Sequence, residues 1–147
     1  MIQNAPENFQ TSYLPNSVSR WAEFDLYSAK SWVAELPEGD LRNRSVEQVI
    51  GRLADHDVGV AAEWLESLPT GPDKDMGVAR FARDVVQIDP SAAVIWAEQI
   101  QDEKRRDQTV RSIAETWTRI DTQKAESWLR QNSYSEEWIE KVMERVL

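Results

Sequence analysis

Cysteine is absent from the 147 residues, and histidine occurs once. The first absence excludes disulfide staples, thiolate zinc sites and cysteine nucleophiles, and it leaves the compartment open, because oxidising and reducing locations both permit a cysteine-free chain. A lone His56 excludes any site that needs two imidazoles. Positive charge is also scarce: 17 Lys and Arg against 26 Asp and Glu give net −9, which argues against a sequence-independent grip on phosphate backbones and so against nucleic acid as a partner. Long apolar runs are missing too. Nothing approaches the roughly 18 apolar residues of a spanning helix, and the start Met1-Ile2-Gln3-Asn4-Ala5-Pro6-Glu7 has neither a basic n-region nor an apolar h-region. A soluble chain with no membrane partner is expected. What remains, 41% hydrophobic and 29% charged, is enough to build the core of one domain.

Tryptophan is the residue in excess, with seven copies. Trp32, Trp64, Trp96 and Trp128 are successive steps of 32, and Trp21 and Trp117 differ by three such steps. Other columns keep the same period: Asp25, Asp57, Asp89 and Asp121; Ala29, Ala61, Ala93 and Ala125; Leu36, Leu68 and Ile100; Val46, Val78, Val110 and Val142; Val49, Phe81 and Ile113; Trp21, Leu53, Val85 and Trp117. A fixed period of this length is the mark of a solenoid or array.

Each unit reads as two amphipathic helices. Ala29, Trp32, Val33 and Leu36 lie at i, i+3, i+4 and i+7, as do Val46, Val49, Ile50 and Leu53. The recurrent Asp stands where an N-cap belongs, and Pro37-Glu38-Gly39 and Pro69-Thr70-Gly71 close the first helix of their units. First helices are expected near 26–36, 58–68, 90–101 and 122–132, and second helices near 44–56, 74–88, 105–120 and 135–146. A poorly ordered arm over 1–15 and a half unit over 17–24 precede the units 25–56, 57–88, 89–120 and 121–147. The expected fold is thus all-α, a right-handed α-α superhelix of about four 32-residue repeats and roughly nine helices, forming one domain over 16–147. The tryptophans then fill the space between helices rather than stack on sugars or bases.

The pattern Asp-x3-Ala-x2-Trp-x3-[Leu/Ile], followed by a second amphipathic helix, resembles the α-solenoid helical-hairpin superfamily of tetratricopeptide and HEAT-like repeats. It departs from the tetratricopeptide unit, which has about 34 residues and a different Trp position. The resemblance implies a non-enzymatic binding scaffold that presents a groove, lined by first helices, to a protein or peptide, with no cofactor.

Outward positions of the first helices fall in the columns of residues 27, 31 and 34. Tyr27, Glu63, Glu66, Ile95, Glu98 and Arg130 are therefore the groove candidates, and their acidic middle suits a basic or mixed basic-apolar peptide. Trp138 alone is out of phase, on the last helix, where an exposed aromatic marks an interface. A homodimer through Trp138, Val142, Met143 and Val146 is the accompanying expectation, and a structural or self-assembling module the alternative function.

Chemistry finds little support. His56 shares a column with Phe24, Ile88 and Ile120, so its ring is expected half-buried as filler, and no nucleophile accompanies it. No acidic spacing matches a calcium loop, so no metal site is assigned. A hydrolase or lyase using paired carboxylates is the remaining catalytic alternative. Arg42, Lys74 and Arg106 form a basic column at the start of each second helix, against that helix's dipole. Ion pairs with Glu38, Asp73 or Asp102 are expected to compensate, the rival being a phosphate-reading ladder.

Overall fold

The computed structural model describes residues 25–146, and every regular element among them is helical. The expected arm, the half unit and Trp21 lie outside the described residues. Four first helices, α1 (Leu26–Glu35), α3 (Val58–Ser67), α5 (Pro90–Glu98) and α7 (Thr122–Gln131), alternate with four second helices, α2 (Asp40–His56), α4 (Pro72–Val85), α6 (Glu103–Ile120) and α8 (Glu136–Val146). The chain divides into two compact units, an N-terminal one ending at Phe81 and a C-terminal one beginning at Ala82.

One aspartate ends a helix and starts the next. The N–H of Asp57 donates to Leu53 O (2.7 Å), that of Asp89 to Val85 O (2.9 Å) and that of Asp121 to Trp117 O (2.8 Å). Each side chain then accepts from the N–H three residues on: Asp25 from Ser28 (3.0 Å), Asp57 from Val60 (3.2 Å), Asp89 from Ala92 (3.1 Å) and Asp121 from Lys124 (3.1 Å). Extended backbone at the Asp, with φ between −144° and −158°, turns the chain within that single residue.

The first three second helices begin two to four residues before the expected starts, and the last begins one residue after its own. Their first turns are polar, holding Asp40, Asp73, Asp75 or Glu103, so periodicity cannot register them, while the helix dipole favours those acids. Gly39, with φ +148°, starts α2 in a conformation that an L side chain rarely adopts. Gly71 O accepts from Asp75 N–H at 3.0 Å, which puts Pro72 in the first helical position, where its missing N–H leaves no donor unpaired.

The basic column resolves the charge problem from the other side. Arg42 Nη1 donates to Leu36 O (2.7 Å), Lys74 Nζ to Leu68 O (3.2 Å) and Arg106 Nη1 to Ile100 O (3.4 Å). Each cation therefore sits at the C-terminal end of the preceding first helix, where the dipole favours it. Arg42 also pairs with Asp73, one of the expected carboxylates, at 2.8 Å.

In the N-terminal unit α2 packs against both α1 and α3. Ala29, Trp32, Val33, Val46, Val49, Ile50, Leu53, Ala61 and Leu65 are all at most 2% exposed. Gly77 of α4 is a close-approach point, since a Cβ there would meet Leu65 at 2.8 Å and Val46 at 2.9 Å. In the C-terminal unit α6 is central and packs against α5, α7 and α8, with Ala114, Leu129, Ile139 and Val142 as a buried cluster. One expectation about packing fails: His56 is exposed, as are Ile88 (71%) and Ile120 (47%). Their column lies at the edge of the second helix's apolar stripe, just before the Asp turn, and points away from the core.

Candidate functional site

In the N-terminal unit Tyr27 is 78% exposed on α1, and Glu63 and Glu66 are exposed on α3. In the C-terminal unit the corresponding positions are Ser91, Ile95 and Glu98 on α5 and Gln123, Ser127 and Arg130 on α7, and all of them except Ile95 line clefts. Ile95 is half exposed beside them in sequence.

Aromatic rings border these clefts. Trp117 and Trp128 have centroids 5.6 Å apart at 53°, Trp128 and Tyr134 lie 6.4 Å apart, and Tyr134 and Trp138 lie 4.7 Å apart with their planes tilted by 31°. Trp117 is buried, whereas Trp128, Tyr134 and Trp138 are half-buried. A cleft of about 390 Å³ is lined by Trp117 and Trp128, by the polar side chains of Ser91, Gln123, Ser127 and Gln131, and by Lys124. A second, of about 260 Å³, is lined by Glu98, Arg106, Asp107, Val110, Tyr134 and Trp138.

Local sequence explains how the last two rings arrive there. The chain leaves α7 through Ser133 at φ 72°, with Ser133 N–H donating to Arg130 O (3.4 Å) and Tyr134 N–H to Leu129 O (3.1 Å). This paired closure is a Schellman motif, and it lays the Tyr134 ring against the buried cluster that includes Leu129. Ser135 Oγ then accepts from Trp138 N–H (3.1 Å), fixing Trp138 in the first turn of α8.

Charge in the second cleft is unbalanced, two carboxylates facing one guanidinium. Arg106 is half-buried with its Nη1 directed to the Ile100 carbonyl, whereas Glu98 and Asp107 are exposed. The Tyr134 phenol lies beside the Glu98 carboxylate. Burial of the ring, and then the negative charge of Glu98, hold the phenol pKa above its ordinary value of 10.0, so Tyr134 is a neutral donor.

Other sequence candidates have different surroundings. Arg130 is held by Glu136 (2.8 Å) and Glu126 (2.7 Å); the Glu136 hydrogen bond and then the charge of Glu126 raise its pKa, and Arg130 in turn lowers that of Glu136. Val142 is fully buried in the cluster, so it is core and not interface surface; it is the inward residue of an α8 stripe whose sequence could not say which side is covered. Met143 and Trp138 pack partly against the same cluster, and Val146 is half-buried. Trp138 is thus backed by Tyr134 rather than freely exposed. Sequence reading misses Tyr134, and it reads Asp107 only as an acid of a helix's first turn. One signal pointed to them: Trp138 occupies the column of Arg42, Lys74 and Arg106, where a cation is the structural residue.

Among the described residues no three or more His, Asp and Glu side chains are placed to hold a metal ion, and no helix is long and apolar enough to cross a membrane. No family model matches the chain, and no curated protein or solved structure does.

Proposed function

We propose that the chain is an α-solenoid of about four 32-residue helical hairpins, akin to tetratricopeptide and HEAT-like arrays, and that it serves as a non-catalytic scaffold for a protein or peptide. The observation that carries this reading is the placement of Ser91, Glu98, Gln123, Ser127 and Arg130. These are the positions that periodicity assigns to the outward face of the first helices, and in the C-terminal unit they line clefts beside half-buried aromatic rings. Rings that are fixed by packing yet partly open give contact area at little cost in side-chain entropy, which is what a peptide groove needs. Hydroxyl and amide groups around Trp117 and Trp128 suit the backbone of an extended peptide.

The test is panning of a random peptide library on the intact chain, followed by affinity measurements on the enriched peptides. Binding weakened by at least about tenfold in a Trp128→Ala or Glu98→Arg chain is the expected outcome, the size expected for residues at the centre of an interface. Failure to enrich any peptide over the support alone overturns the scaffold reading.

A further inference from the structure

Trp138 breaks the repeat at a position where the other units hold a cation, and the break has a structural result. In the three earlier units the column residue reaches the last carbonyl region of the preceding first helix, at Leu36, Leu68 and Ile100. In the last unit the Ser133 and Tyr134 N–H groups close α7 instead, so the column residue is released from that task. An aromatic ring now stands there, 4.7 Å from that of Tyr134, and it lines a cleft of about 260 Å³ together with Glu98 and Asp107. Departures from a structural code that coincide with an open, charged cleft are where function is to be sought.

We propose that this cleft receives an arginine side chain of the bound peptide, its guanidinium lying on the Trp138 ring and donating to the Glu98 and Asp107 carboxylates. The inference rests on the scaffold reading and names the ligand chemistry of its second cleft. A guanidinium is planar, weakly hydrated and able to stack on an indole while its N–H groups meet carboxylates in the same plane, which a compact ammonium cannot do. The cleft holds one net negative charge, because Arg106 offsets only one of the two carboxylates, so entry of a cation neutralises it. Tyr134 supports the arrangement twice: its ring backs Trp138, and its phenol lies beside the Glu98 carboxylate. Little has to be ordered when the ligand arrives.

The experiment uses the intact chain and N-acetyl-arginine amide, followed through the indole N–H signals, with Trp138→Leu assigning the Trp138 signal. A saturable shift of that signal is expected, with affinity about tenfold lower for the neutral isostere N-acetyl-citrulline amide, about threefold lower for N-acetyl-lysine amide, and about tenfold lower in Glu98→Gln. The remaining indole signals report whether each variant keeps its fold. Equal responses to arginine and citrulline amides, or no shift at Trp138, overturn the proposal. Library peptides that bind without any basic residue overturn it while leaving the scaffold reading standing, whereas a library that yields no binder overturns the scaffold reading itself.

Discussion

The two units follow one sequence code and end with different surfaces. In the N-terminal unit Trp32 and Trp64 are 2% and 7% exposed. In the C-terminal unit their counterparts Trp96 and Trp128 are half-buried, and Trp128 belongs to a row of rings bordering clefts. The same column therefore supplies core in one unit and accessible aromatic surface in the other. What differs is the neighbourhood and not the residue. Ala29, Ala61, Ala93 and Ala125 are fully buried in both units, so the helices begin identically, and the difference arises farther along each helix.

The contrast can be broken most sharply at the tryptophans. Trp32→Ala is expected to cost about 3–5 kcal/mol of unfolding free energy by denaturant titration, and Trp128→Ala less than half of that, since its ring is partly open to water already. Equal losses dissolve the distinction. A smaller effect is expected at Arg42, which is paired with Asp73 while both side chains are at most 15% exposed. Arg42→Gln leaves Asp73 without its partner and is expected to cost about 2–3 kcal/mol, below the range for fully buried pairs. The shared aspartate cap should ignore the contrast altogether: Asp57→Ala and Asp121→Ala are each expected to cost about 1 kcal/mol, so a large difference between them means that the caps are not equivalent. The smallest change has the opposite sign. Ser133→Gly relieves a non-glycine residue at φ 72° and is expected to raise stability by about 0.5–1 kcal/mol, visible as a higher melting temperature.

Most of the all-α architecture was legible because burial and period coincide. The Ala, Leu/Ile and Val columns and the Asp caps are read directly from spacings of 32, and the described members of each column have the expected burial or capping role. Helix starts were less legible, because Asp40, Asp73 and Glu103 stabilise a first turn through the dipole and carry no periodic signal. The role of Arg42, Lys74 and Arg106 was half legible. Sequence shows a cation that its own helix disfavours, but only the fold shows the carbonyls of the preceding helix beside it. His56 misled because the column it shares with Ile88 and Ile120 is apolar, and an apolar column at the edge of a stripe need not be covered. Of the site, Glu98 and Arg130 followed from register, and Asp107 repeats Asp75 at a step of 32, but its place in a cleft depends on the packing of α6 against α8. Tyr134 depends on the turn after α7, which has no period.

The exchange of a structural cation for Trp138 can be reversed by one substitution. Trp138→Arg restores the residue type of the column, and the decisive measurement is the affinity of the intact variant for a library peptide whose binding shifts the Trp138 indole signal of the parent chain, taken beside its unfolding midpoint. The expected result is an affinity at least about tenfold weaker, as for a central aromatic anchor, with the chain still folded. Unchanged affinity in a folded Trp138→Arg chain contradicts the claim that this departure from the repeat makes the binding surface.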